Sequence, residues 1–183
     1  ITDESGKNFT YTPEYDGETF YMPFEDTYME YVTQTEPTVV GTPGFAEGKV
    51  GKAYAGATDS YLTFPTDGLQ GNQFSASFWM MIRLTDPEPE YGQRAGILVM
   101  GPPDEDNPDA PNNRDNGFRF FREDAAGEQR FKLNVGTGDA NSWFDGGEAA
   151  DVDPTTDTWH HFAFTISDSE CVVYIDGEVV KQG

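Results

Sequence analysis

The sequence predicts an all-β protein built as a two-sheet antiparallel β-sandwich, and three observations carry that expectation. Short aromatic and β-branched runs recur along the chain between clusters of Gly, Pro, Asn and Asp. Within Trp159 to Val180, Asp176-Gly177 separates two apolar runs, a pair suited to a two-residue type I′ hairpin because both central residues need positive φ. Phe74 to Leu84 alternates strictly, with Phe74, Ala76, Phe78, Met80, Ile82 and Leu84 on one face and Ser75, Ser77, Trp79, Met81 and Arg83 on the other. The 183 residues suit one such domain, and 14 Phe, 9 Tyr and 3 Trp supply its core. Each fully buried Phe contributes roughly 1.5–3 kcal/mol.

Taken in order, residues 1–17 are polar and read as a leader or linker, leaving 18–183 for the domain. Asn8-Phe9-Thr10 forms a glycosylation sequon. Thr19 to Phe24 alternates as a first strand, with Pro23 marking a sheet edge. Val32 to Gly48 reads as a loop holding one short strand at Thr38 to Val40, because Pro37, Gly41, Pro43, Gly44 and Gly48 punctuate it. Strands are expected at Lys49 to Ala55, Ser60 to Phe64 and Ala95 to Met100. Gly101 to Gly117 is a long acidic loop. Phe118 to Arg122 and Arg130 to Val135 form a hairpin, with Phe131, Leu133 and Val135 inward and Arg130, Lys132 and Asn134 outward. Gly136 to Thr158 is a second long loop. Trp159 to Ile166, Cys171 to Ile175 and the run after Gly177 then make a three-strand meander, with Ile175 opposite Glu178 and Tyr174 opposite Val179.

Two stretches carry a family resemblance. One is Trp159-His160-His161, its alternating strand, a polar turn and Val173-Tyr174-Ile175-Asp176-Gly177-Glu178-Val179. The other runs from Gly48-Lys49-Val50-Gly51-Lys52-Ala53-Tyr54 through Ser60-Tyr61-Leu62-Thr63-Phe64-Pro65 to Phe74-Ser75-Ala76-Ser77-Phe78-Trp79. In this order they resemble the laminin-G-like, concanavalin A-like jelly-roll domains, from roughly Phe24 to the last residue. The resemblance implies a jelly-roll sandwich that recognises carbohydrate or cell surfaces in a secreted or surface-exposed setting. It also implies a structural calcium with Asp26 as a ligand. Members of the family usually end on one more strand, which carries the partner acid. This chain ends at Lys181-Gln182-Gly183, so a further C-terminal segment or a partner strand is expected over that edge.

Charge narrows the partners. With 33 Asp and Glu against 11 Lys and Arg, the net charge of −22 excludes nucleic acid and anionic membrane surfaces, both of which require basic residues. No apolar run is long enough to span a membrane. The single cysteine, Cys171, lies in an apolar strand and reads as a buried thiol. His160 and His161 are adjacent on a strand, point to opposite faces and lack a third ligand at zinc spacing. Asp104, Glu105, Asp106, Asp109 and Asp115 lack the register of an EF-hand loop.

Three functional readings remain. A sugar ring has an apolar C–H face and a rim of hydroxyls, so a binding module needs an aromatic platform beside acceptors and amides. The second long loop supplies Trp143 with Asp139, Asn141 and Asp145, and Trp79 is an alternative platform. Against these stand structural roles, Trp143 pinning its loop and Trp79 packing under another. A glycoside hydrolase would place two carboxylates across a groove, and Glu14, Asp16 and Glu18 have the spacing of three acids on one strand face. Pro13 precedes that run and Gly17 interrupts it. The third reading is an adhesion domain with a protein ligand.

Overall fold

The computed structural model describes residues 12–13, 16–83, 94–102, 116–125, 128–137, 143–145 and 157–183, without the side chains of 94–95, 123–125, 128–130, 137 and 143–145. Among the described residues all regular elements are strands, and the chain divides into two compact units, Ile1–Gln70 and Gly71–Gly183.

The C-terminal unit is the sandwich. One four-stranded sheet has the order β12 (Glu178–Gln182), β11 (Cys171–Ile175), β10 (Trp159–Ile166), β5 (Phe74–Met81). The other runs β6 (Arg94–Met100), β7 (Asn116–Ala125), β8 (Glu128–Thr137), β9 (Trp143–Asp145). Every pairing in both is antiparallel. The predicted face of β5 is the inner one: Phe74, Ala76, Phe78 and Met80 pack against the core, and Ile82 beyond the strand is buried within it. Phe118, Phe120, Phe131 and Leu133 meet Phe162, Phe164, Val173 and Ile175 from the opposite sheet. Ring pairs cross the interface at Phe74–Phe118 (4.7 Å), Phe131–Phe162 (4.9 Å) and Phe120–Phe164 (5.3 Å). Each such pair adds about 0.5–1.5 kcal/mol beyond the area it buries. Where Phe120-Phe121 breaks the alternation, both faces of β7 bury a ring, and the Arg119 guanidinium carbon lies 4.3 Å from the centre of the Phe121 ring. Asn134, expected to face solvent, is instead buried.

The meander has the predicted register, Ile175 opposite Glu178 and Tyr174 opposite Val179. Its turn has φ 51° at Asp176 and 84° at Gly177, as a type I′ turn requires. The Asp176 carboxylate also ties the turn to β10: Oδ1 accepts the His161 N–H (2.9 Å) and Oδ2 lies 2.6 Å from Nδ1 of His160. The His160 ring first, then that N–H, hold the Asp176 carboxyl below its ordinary range. A carboxyl depressed on folding stabilises the protein above its unfolded pKa of about 3.9, and that stability is lost as pH falls through the lower folded value. Asp176→Asn keeps a residue suited to the turn and removes the charge. Because the aspartate is half exposed, the expected loss at pH 7 is about 1 kcal/mol. In denaturant titrations the gap from wild type should close below about pH 4. A gap constant with pH would show that the charge contributes nothing.

The N-terminal unit departs more from expectation. β1 (Thr38–Val40) pairs with β4 (Tyr61–Thr63), and β2 (Gly44–Glu47) pairs with β3 (Lys52–Ala55). β2 lies in a stretch expected to be loop; its local hairpin closes through Gly48 N–H to the Gly51 carbonyl (2.9 Å). Gly51 has φ +61°, and a Cβ there would overlap the Glu25 carboxylate. Thr19 to Phe24 is not a strand. Phe24 and Asp26 take positive φ, and the Tyr21 N–H bonds to the buried carboxylate of Glu30 (2.9 Å) rather than to a neighbouring strand. The alternating aromatics find ring partners instead, in Phe20–Phe64 (5.1 Å), Tyr21–Tyr31 (6.1 Å) and Phe24–Tyr54 (5.5 Å).

Candidate functional site

On β5 Ser75, Ser77, Trp79 and Met81 alternate with the core-facing residues, and the pairing register brings their neighbours from β10, β11 and β12 onto the same face. Trp79 stands opposite His161, with ring centroids 5.3 Å apart at 62°. The next row runs Ser77, Ala163, Tyr174, Val179. Trp79 is 49 % exposed and Val179 53 %. This outer face therefore offers a half-exposed indole braced by an imidazole, with the exposed Ser77 hydroxyl in the next row of the same strand and the Tyr174 phenol two strands away in that row. An aromatic face bordered by hydroxyl and imidazole groups suits a ring with one apolar face and polar edges. The carboxylate at the end of the Trp79–His161 row, Asp176, is committed to His160 and His161.

The residues of the second long loop are distributed differently. Trp143 and Asp145 belong to β9, a strand within a segment expected to be loop, where Trp143 pairs with Gly136, Phe144 with Val135 and Asp145 with Asn134. Asp139 and Asn141 lie outside the described residues, as do the side chains of Trp143 and Asp145 and the whole of Glu14. Asp16 and Gly17 form a turn and Glu18 follows it without strand structure, so the spacing of the three acids does not put Asp16 and Glu18 on a strand face.

Asp26 is exposed, and its neighbours do not fit a calcium cage. Glu25 Oε1 accepts the Lys52 N–H (3.2 Å), Lys52 Nζ lies 2.6 Å from Glu47, and Glu47, Asp26 and Glu25 together raise the Lys52 pKa, Glu47 most. Of these acids Glu47 contacts the ammonium, and Glu25 is held by a backbone N–H. No set of three or more His, Cys, Asp or Glu able to hold a metal occurs among the described residues.

His161 is the member of the Trp79 face that sequence inspection did not associate with it. The signal was present, since aligning Trp159–Ile166 antiparallel to Phe74–Met81 with Phe162 opposite Phe78 sets His161 across from Trp79.

Residues 56–183 match the Laminin_G_3 family of the concanavalin A-like lectin/glucanases superfamily. The chain belongs to that superfamily. Among solved structures, this concanavalin A-like domain is similar to domain 4 of AbnA, a GH43 extracellular arabinanase from Geobacillus stearothermophilus, in complex with arabinotriose. That likeness has a TM-score of 0.60 at 22 % identity and covers 86 % of this chain and 70 % of the other, which establishes a shared fold. No curated protein sequence matches the chain. Among the described residues no helix is long and apolar enough to cross a membrane.

Proposed function

We propose that the protein is a non-catalytic carbohydrate-binding module of the extracellular space or cell surface, with Trp79 as the platform for a sugar ring. The observation that carries this reading is the half-exposed indole on the outer sheet face, braced by His161, with Ser77 two residues before it on the same strand face. The structurally similar arabinanase domain, solved with arabinotriose, supports a glycan as the ligand class. Trp143 is a second candidate platform, with Asp139, Asn141 and Asp145 beside it in sequence. A hydrolase is the less supported reading, because Asp16 lies in a turn rather than on a strand.

A glycan array followed by calorimetry with the best binder, and with arabinotriose, tests the proposal. Trp79→Ala is expected to weaken binding tenfold or more, about 1.4 kcal/mol or above, at an unchanged melting temperature. Unchanged affinity in Trp79→Ala with loss in Trp143→Ala would move the platform to β9. Unchanged affinity in both would remove the aromatic-platform reading.

A further inference from the structure

The N-terminal unit contains a cleft that shares no residue with the Trp79 face. It is lined by Thr19, Phe20, Thr33, Thr35, Phe64, Pro65, Asp67 and Leu69. Its apolar wall is the edge-to-face pair of Phe20, 37 % exposed, and Phe64. Its polar wall is a chain of hydroxyls whose proton direction follows from a buried acid. The Glu30 carboxylate accepts the N–H groups of Tyr21 (2.9 Å) and Val32 (2.6 Å) on Oε1, and the N–H (2.8 Å) and hydroxyl (2.6 Å) of Thr33 on Oε2. Thr33 Oγ1 has one proton, and Glu30 takes it. In the 2.7 Å contact between Thr33 and Thr35, the donor is therefore Thr35. The Thr35 oxygen is left to act as an acceptor toward the cleft, and the exposed Asp67 carboxylate is a second acceptor on the same lining.

We propose that this cleft is a second glycan-binding site, in which a neutral sugar ring lies against Phe20 and Phe64 and donates its hydroxyls to Thr35 and Asp67. The choice of a glycan rests on the carbohydrate-binding reading above; the lining and its polarity do not. Ligands that bring anions meet two acceptors and no cation in this lining, so uronates and phosphates are disfavoured. Ligands without donors leave both acceptors desolvated and unpaired. Hydroxyl-rich neutral rings with a C–H face satisfy both walls.

The test compares wild type, Thr35→Val, Asp67→Asn and Trp79→Ala on an array of neutral and uronate-containing oligosaccharides. It then titrates the best neutral trisaccharide while following the threonine methyl and backbone amide resonances. Thr35→Val and Asp67→Asn change exposed or half-exposed groups and are expected to fold as wild type, which their melting temperatures verify. A subset of neutral-glycan signals should fall at least tenfold in Thr35→Val and at least threefold in Asp67→Asn, yet persist in Trp79→Ala. Resonances of Thr33, Thr35 and Phe64 should shift on titration. Loss confined to Trp79→Ala would overturn the cleft and leave the sheet-face platform standing; loss confined to Thr35→Val and Asp67→Asn would do the reverse. A wild-type protein silent toward every glycan would overturn both sites, and stronger binding of uronates than of neutral sugars through the cleft would overturn its assigned polarity.

Discussion

Phe162→Ala is expected to lower the stability of the sandwich by about 3–5 kcal/mol, the range for removing a large ring from a close-packed core. Phe162 is 0 % exposed on β10, one of the two inner strands of its sheet. Its ring lies 6.0 Å from Phe78 in its own sheet and 4.9 Å and 6.3 Å from Phe131 and Phe120 in the other. Neighbours drawn from both sheets are held by their own ladders and by one another, so the void cannot close without separating or shearing a sheet. Against a typical total of about 5–15 kcal/mol, the loss brings the domain near its unfolding threshold at 25 °C. Urea titration should show a large fall in midpoint with an unchanged slope, while the surface control Val179→Ala, at a residue 53 % exposed, stays within about 0.5 kcal/mol of wild type. A loss below about 1 kcal/mol in Phe162→Ala would mean that the inter-sheet packing does not hold the fold together.

This core was legible in the sequence because it rests on period-two alternation in long strands. Phe74 to Met81 and Phe131 to Val135 each carried a readable core face and the Asp176-Gly177 hairpin a readable turn, and the structure has those core faces and the hairpin's register. Legibility failed where pairing is local and short, or where a side chain does the work of a strand. β2 is four residues with a glycine at its start and a glutamate at its end, so its composition resembles a turn, and only its hairpin partner β3 makes it a strand. β9 is three residues whose pairing with β8 is not visible in any periodicity of its own. Thr19 to Phe24 failed in the opposite sense: the alternation is present, but the Tyr21 N–H goes to a carboxylate and Phe24 turns to positive φ. The candidate site was legible in its parts and not in its assembly. Trp79 was singled out from its strand face, but His161 joins it only through inter-strand register. The cleft of the N-terminal unit combines residues as far apart in sequence as Thr19 and Leu69.

The second large effect is expected at Glu30, a glutamate that is 1 % exposed and whose burial no sequence pattern announced. Its carboxylate accepts three backbone N–H groups and one hydroxyl, and its own backbone pairs both ways with Thr35, N–H to carbonyl at 2.8 Å and carbonyl to N–H at 3.1 Å. Glu30→Ala leaves that backbone bridge available but strips the N–H groups of Tyr21, Val32 and Thr33 of their acceptor. An unsatisfied N–H costs about 1–3 kcal/mol when fully buried and less where water reaches it; these three are part-buried, so the local stability of the N-terminal unit should fall by about 1–3 kcal/mol in all. Glu30→Gln should recover only part of this, because an amide keeps one accepting oxygen and turns an NH2 toward donors. Hydrogen exchange resolves the effect by site: the amides of Tyr21, Val32 and Thr33 should lose protection in Glu30→Ala and keep an intermediate level in Glu30→Gln. If the three amides exchange at wild-type rates in both variants, the carboxylate is not their acceptor in solution. The proton direction assigned to the Thr33–Thr35 pair would then lose its basis as well. If protection falls as expected, glycan binding in the cleft should weaken in Glu30→Ala although Thr35 is still present, since Thr33 would be free to donate to Thr35, using one of the Thr35 oxygen's two lone pairs and releasing the Thr35 proton, so that the fixed polarity toward the ligand is lost.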